Sequence, residues 1–324
     1  MGHLILQLTF LFLKAGVAFV PHDKYLQKIN AIVPIERKND GFDLQGWEYR
    51  SVNGSLPDCV HRYYYLAGPS PDAPVFLFIH GLNLDGRNFI NLRSLASRYQ
   101  LIAYDFPDRS PQYTGRLDDF ALLINDFLAA KGITRLSVAG VSFGGVVAVH
   151  WAAHAPGIVV ENMVLASSGI VGTSPAQQAQ SRATAQWVST LKDYQVYWVM
   201  ERLTDRFVKN FPPSVRRELS PLFRIKHPDF YREVVASTAG YDATDDAGRI
   251  TCPMLVLLGT KDELFSVKDT ASIAAFVPQA KIELIPGGSH IMTFLEGDDI
   301  AGRIGSFCGA GIRRESASAA PGGR

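Results

Sequence analysis

The 324-residue chain is poor in cysteine. Cys59, Cys252 and Cys308 stand far apart, odd in number, with no Cys-x-x-Cys pair. That spacing argues against a disulfide framework or a thiolate metal site and predicts reduced or buried thiols. An excess of charge of either sign is also missing: Lys and Arg total 32, Asp and Glu 31. Such a balance exerts no long-range pull on nucleic acid or a strongly acidic substrate, so no nucleic-acid partner is expected. The chain has no Gly-x-Gly-x-x-Gly, no P-loop, no metal motif and no internal repeat, and no cofactor is implied. What is present is a 47% hydrophobic chain, long enough for one large core with an inserted module.

Its most informative stretch is Leu136-Ser137-Val138-Ala139-Gly140-Val141-Ser142-Phe143-Gly144-Gly145. A short apolar strand runs into Gly-x-Ser-x-Gly and then into an apolar stretch of helical character, Val146 to His154. Ser142 is expected on a tight strand-to-helix turn, with Gly140 and Gly144 giving room for close backbone approach. Such a turn pushes the hydroxyl out of the sheet and aims a helix N-terminus at a developing oxyanion. A serine hydroxyl needs a base in hydrogen-bond reach, and the base needs an orienting carboxylate. Met254 to Asp262 reads as a buried strand whose loop carries Asp262. Ala280 to His290 reads as another strand, whose loop carries His290. The order is Ser, Asp, His, each just past the end of a predicted strand. In a parallel sheet those ends share one edge.

On these motifs the chain resembles the α/β-hydrolases from about Trp47 to Cys308. Phe76-Leu77-Phe78-Ile79-His80-Gly81-Leu82 is similar to the family's strand with a His-Gly turn. The resemblance implies an oxyanion hole made by the backbone N–H groups of Leu82 and Phe143, each donor worth about 2.7–4 kcal/mol in the transition state. It also implies His80 as a structural histidine. Gln100 to Pro107 resembles the next strand and its turn, but Pro107-Asp108-Arg109-Ser110 replaces the usual Gly-x-Gly-like turn, a departure that bears on the loop shape. Serine rather than aspartate at 142 argues against dehalogenase and epoxide-hydrolase chemistry.

The expected fold class is α/β: a mostly parallel eight-stranded sheet flanked by helices. Trp47–Val52 and His61–Leu66 read as a hairpin around Asn53-Gly54. Val75–Ile79, Leu101–Tyr104, Leu136–Ala139, Met163–Ala166, Met254–Leu258 and Lys281–Ile285 follow, with helices such as Leu117–Ala130 between them. The expected organisation is 1–46 as an apolar segment and polar connection, 47–168 and 251–308 as the two parts of the core, 169–250 as a helical cap, and 309–324 as a disordered tail. The cap region is rich in aromatics, including Trp187, Tyr194, Tyr197, Trp198, Phe207, Phe211, Phe223, Phe230 and Tyr231. Most should form its own core, and a few should line an apolar pocket.

Leu4 to Val20 is apolar, with His3, Gln7 and Lys14 on one narrow helical stripe. It reads as an anchor at a membrane surface, as a signal peptide or as a helix docked on the body, and the residues leave all three open. Membrane association is the favoured localisation, with an exported or cytoplasmic protein as alternatives. His150 and His154, at i and i+4, lack a third metal ligand in the sequence and read as packing or solvent-facing residues. Glu263 rivals Asp262 as the acid, and Asp105 is expected to shape its turn.

The resemblance and motifs together imply a serine hydrolase acting on small-molecule esters with apolar acyl groups. The catalytic residues are Ser142, Asp262 and His290, with no cofactor, and the pattern is similar to monoacylglycerol-lipase-like members. Cleavage of a carbon–carbon bond, lactone or amide by the same residues is a second reading, and a serine-dependent haloperoxidase or perhydrolase side activity another. A non-catalytic hydrolase-fold interaction protein belongs to a different class, and fluorophosphonate labelling separates it.

Overall fold

A computed structural model describes residues 13–31, 42–107, 114–169, 175–209, 211–223, 225–262, 264, 265, 267 and 272–318, a few side chains among them excepted. Eight strands form one sheet: β1 (Glu48–Asn53), β2 (Val60–Leu66), β3 (Val75–Ile79), β4 (Gln100–Asp105), β5 (Arg135–Val141), β6 (Val159–Ala166), β7 (Met254–Gly259) and β8 (Ala280–Ile285). Their spatial order is β1-β2-β4-β3-β5-β6-β7-β8. The β1–β2 hairpin is antiparallel, β2 is antiparallel to β4, and every other pairing is parallel. This is the fold class expected from the alternation of strands and helices.

The central strands are apolar on both sides because both faces are covered. Leu77 and Ile79 join one core with Phe120, Phe127 and Trp151. Phe76 and Phe78, on the alternate positions, join the other with Phe89, Leu92 and Ile300. Strand periodicity thus divides one sequence run between two cores. Each fully buried aromatic or aliphatic side chain contributes roughly 1.5–3 kcal/mol of transfer free energy.

Helix Leu117–Lys131 and helix Phe143–His154 pack on the first face. Lys131 closes its helix onto Gly132 at φ +64°, a left-handed cap that suits glycine. Between β6 and β7 the chain makes only helices among the described residues: Pro175–Ser189, Asp193–Val208, Pro213–Leu219, Pro228–Thr238 and the short Thr244–Gly248. The closing helix, Gly297–Ser318, runs on through much of the segment expected to be a disordered tail. Its alanines and charged residues are compatible with continued helix. Residues 319–324 lie outside the described part.

The N-terminal segment docks on the inserted helices. Leu13 is buried, Gln195 Nε2 donates to the Val17 carbonyl at 3.1 Å, and Lys14 Nζ lies 5.5 Å from the Trp187 ring centroid. Helix His22–Asn30 follows, with Tyr25 and Ile29 buried. The Tyr25 hydroxyl donates to Glu201 Oε2 at 2.8 Å, and Lys28 pairs with Glu201 Oε1. Phe19, by contrast, is 86% exposed. No helix among the described residues is long and apolar enough to cross a membrane. Leu4 to Phe12, most of the apolar stretch singled out from sequence, lies outside the described residues.

Candidate active site

β5, β7 and β8 are parallel neighbours or near neighbours, so their C-terminal ends meet one edge of the sheet. Ser142 follows β5 directly and stands at φ +53°, ψ −124° before helix Phe143–His154. A non-glycine residue there holds backbone strain of about 1–3 kcal/mol. The surroundings keep it in place. Ser142 N–H donates to the Ala166 carbonyl at 3.1 Å, and its carbonyl accepts from Ser168 Oγ at 2.7 Å. A Cβ on Gly144 would lie 2.2 Å from the Ile79 carbonyl oxygen, and one on Gly140 would lie 2.4 Å from the Gly144 carbonyl oxygen. Both glycines of the motif are therefore required by close backbone approach.

The His-Gly turn after β3 abuts this elbow, since a Cβ placed on Gly81 would meet Ser142 Cβ at 3.3 Å. His80, Gly81, Leu82 and Phe143 line one small pocket together with Phe106, Phe120, Lys226 and Phe230. The N–H of Phe143 belongs to the first turn of its helix and has no intrahelical acceptor. His80 is held by its neighbours: Nδ1–H donates to the Gly81 carbonyl at 2.8 Å, and Nε2 accepts from Phe106 N–H at 3.3 Å. These contacts brace the loop after β3 against the loop after β4. Asp105 accepts from the Tyr49 hydroxyl of β1 at 3.2 Å, and its Oδ1 lies 3.8 Å from His80 Nε2.

Asp262 and His290 sit on the loops that leave β7 and β8. These loops are stitched together by Lys261 N–H to the Gly288 carbonyl, 2.9 Å, and Gly287 N–H to Thr260 Oγ1, 2.8 Å. His290 Nδ1 lies 3.1 Å from each Asp262 carboxylate oxygen, and both side chains are buried. Asp262 Oδ1 also accepts from Leu264 N–H and Phe265 N–H, each at 2.9 Å. Burial pushes the Asp262 carboxyl up, but the facing His290 and these hydrogen bonds outweigh it and hold the group below the usual carboxylate range. The Phe265 ring lies parallel to the imidazole, 7° between planes and 5.8 Å between centroids. Glu263 lies outside the described residues, as does the turn 108–113.

Lys226 and Asn83 were not singled out from sequence. Lys226 is 4% exposed, with Nζ 4.8 Å from the Phe230 ring centroid. The Tyr231 hydroxyl donates to Asn83 Oδ1 at 2.6 Å and accepts from Lys226 N–H at 2.7 Å, which ties the inserted helices to the loop after Gly81. No local motif marks these residues, because the contacts join segments distant in sequence. Of the aromatics between β6 and β7, few of which were expected at a pocket, Phe230 lines this one. Tyr194 meets His22, and Tyr197 meets Tyr25. The three cysteines are free; burial pushes Cys252 up to about 11 and Cys308 to about 12, so neither is an activated thiolate. A wider surface cleft lies elsewhere, between Pro253, Lys281, Glu283 and Arg303.

Comparison with known proteins agrees with this architecture. The chain is 29% identical over 231 residues to a pimeloyl-[acyl-carrier protein] methyl ester esterase of Chromobacterium violaceum, covering 69% of this chain and 88% of that protein. It is 21% identical over 282 residues to human monoacylglycerol lipase ABHD6, covering 75% and 79%. Among solved structures it superposes on a thermophilic esterase from Thermogutta terrifontis with a TM-score of 0.65 at 18% identity, covering 82% of this chain and 99% of the other. The profile of the alpha/beta hydrolase family matches residues 76–303, from β3 to the closing helix, and the chain belongs to that family.

Proposed function

We propose that the protein is a serine hydrolase of carboxylic esters with apolar acyl groups. The observation that carries this reading is the left-handed Ser142 elbow beside the His80-Gly81 turn, on the sheet edge that also bears the Asp262–His290 pair. In the proposed reaction Ser142 Oγ attacks the ester carbonyl while His290 Nε2 takes its proton. Asp262 holds Nδ1–H and so fixes the useful tautomer. The N–H groups of Leu82 and Phe143 receive the oxyanion. His290 then protonates the leaving alkoxide, an acyl-enzyme remains on Ser142, and water removes it by the same route. The scheme uses only the chain's own residues.

The substrate class draws on the pocket and on the relatives. Phe106, Phe120, Phe143 and Phe230 give it an aromatic wall, and the similar proteins are named as esterase and monoacylglycerol lipase. The helices between β6 and β7 act as a cap in this reading, clamped over the site by Asn83–Tyr231. The N-terminal stretch before Leu13, which lies outside the described residues, is proposed to touch a membrane surface; Phe19, later in the chain, is exposed.

The test is a p-nitrophenyl ester series from acetyl to palmitoyl, with lactones and amides alongside, and fluorophosphonate labelling. Ser142→Ala should abolish labelling and leave no more than a few per cent of activity. Removing His290 as well should cost little more, because the residues act as a unit. Substantial turnover by Ser142→Ala would reject the mechanism. Faster turnover of lactones than of any ester would move the substrate class.

A further inference from the structure

His150 and His154 lie one turn apart near the end of the helix that starts beside Ser142. The sequence offers them no third ligand, but folding supplies Asp246, from helix Thr244–Gly248, where the inserted helices return to β7. His150 Nδ1 is 2.9 Å from Asp246 Oδ2, and His154 Nε2 is 3.6 Å from Asp246 Oδ1. All three donor atoms lie within 4.8 Å of one another. Around a tetrahedral zinc ion with bonds of about 2.0–2.2 Å, ligand atoms stand roughly 3.3–3.6 Å apart. The two histidine–carboxylate separations, each to a different Asp246 oxygen, lie near that edge length, and the histidine nitrogens lie within 4.8 Å of each other.

We infer that His150 Nδ1, His154 Nε2 and Asp246 form a binding site for a late first-row divalent cation, zinc foremost, with water completing the shell. Imidazole and carboxylate donors suit such an ion. The outer contacts are those that metal-binding histidines use. His154 Nδ1–H donates to the His150 carbonyl at 2.9 Å, which leaves Nε2 as a lone pair facing Asp246. His150 Nε2 lies 3.0 Å from Asp118 Oδ1, so with its proton on that nitrogen the ring offers Nδ1, which faces Asp246 Oδ2 at 2.9 Å and the Tyr241 hydroxyl at 3.5 Å, as the ligand atom. The Tyr241 hydroxyl donates to Asp246 Oδ2. These partners hold both rings in orientation, and an entering ion displaces the proton that His150 Nδ1 shares with Asp246 Oδ2. The C-terminal end of the helix adds negative potential.

Arg249 Nη1 stands 3.5 Å from His154 Nε2, the place a cation would take. Arg249 is exposed, so its guanidinium can turn to solvent as the ion enters. His154 is the open side of the site, 43% exposed, whereas His150 and Asp246 are 12% and 10% exposed. His150 is eight residues beyond Ser142, roughly 12 Å along a helix at 1.5 Å per residue. The ion therefore does not reach the ester. It joins the end of the inserted helices to the helix that carries the serine elbow.

The experiment uses the full, untagged, metal-stripped protein. Titration with Co²⁺ should give visible bands of four-coordinate cobalt that saturate at one equivalent, and Zn²⁺ should displace it. Zn²⁺ should also raise Tm in a concentration-dependent way. His154→Ala removes an exposed ligand and should weaken Zn²⁺ binding by at least about a hundredfold. Asp118→Asn alters only the outer shell and should weaken it about 10–100-fold. Should His154→Ala fail to fold, Asp118→Asn, at a largely exposed side chain, carries the test. Absence of saturable uptake by the wild type overturns the site, as does uptake equally tight in the folded variants.

Discussion

Gly259 and Gly288 press backbone against backbone: a Cβ on Gly259 would lie 2.1 Å from the Gly288 carbonyl oxygen. This contact brings the loop of Asp262 against the loop of His290. Gly259→Ala must spread the two loops, and the Asp262–His290 hydrogen bonds at 3.1 Å lie directly beyond. A displacement near 1 Å at such a pair costs about a hundredfold in rate. The expected outcome is a fall in kcat/KM of that order in a folded protein, checked by ester kinetics beside circular dichroism. Wild-type kinetics in Gly259→Ala would show that the contact does not position the pair.

Asp262 is proposed as the acid in preference to Glu263. It faces His290 and accepts two backbone N–H groups from its own loop. Asp262→Asn should therefore reduce kcat/KM by at least about two orders of magnitude more than Glu263→Gln, because only the true partner fixes the imidazole tautomer. Parallel kinetics on both variants measure the ranking, and the reverse order would transfer the role to Glu263.

Another histidine–carboxylate pair, buried, joins β2 to helix Leu117–Lys131. His61 Nε2 meets Asp126 Oδ2 at 2.8 Å, His61 Nδ1 meets the Tyr104 hydroxyl at 2.7 Å, and Asp126 Oδ1 accepts from Ser55 N–H at 2.9 Å. Burial raises the Asp126 carboxyl, yet the bonds from Ser55, His61 and Leu56 hold it below its ordinary value. A carboxyl lowered in the folded state contributes stability that is complete above its unfolded value and lost as pH falls through its folded value. Stability should thus decline with acid below the usual carboxylate range, and Asp126→Asn should flatten that decline while lowering Tm at neutral pH. Thermal melts across this pH range test it; an unchanged slope in the variant would assign the acid sensitivity to other groups.

The N-terminal segment divides into two parts with different expected behaviour. Leu13, Tyr25 and Ile29 are buried against the rest of the protein, each worth roughly 1.5–3 kcal/mol of apolar transfer. Deleting residues 1–31 should lower Tm by several degrees, at about 2–4 °C per kcal/mol for a large domain. Deleting residues 1–12 alone should leave Tm unchanged and reduce liposome flotation. Undiminished flotation without residues 1–12 would reject the proposed membrane contact.

The strands were legible because their apolar runs are short, β-branched and bounded by turn residues, and Gly140-Val141-Ser142-Phe143-Gly144 carries its own geometry in its glycines. His-Gly at 80–81 and the Ser, Asp, His order were legible for the same reason: each is a local pattern at a strand end. The N-terminus was not. Whether Leu13 and Tyr25 pack or face lipid depends on a surface built by Trp187, Gln195 and Glu201, more than 160 residues away in sequence. Likewise, helical periodicity placed His150 and His154 on one face but could not bring Asp246 to them. Local sequence by itself determined the strands, the sheet class and the candidate serine elbow, since these follow from backbone sterics and hydrophobic period. Tertiary structure alone decided the Asp262–His290 pairing distance, the Lys226 and Phe230 lining, the docked N-terminus and the histidine–aspartate cluster, since each is a contact between chain segments whose meeting no local rule encodes.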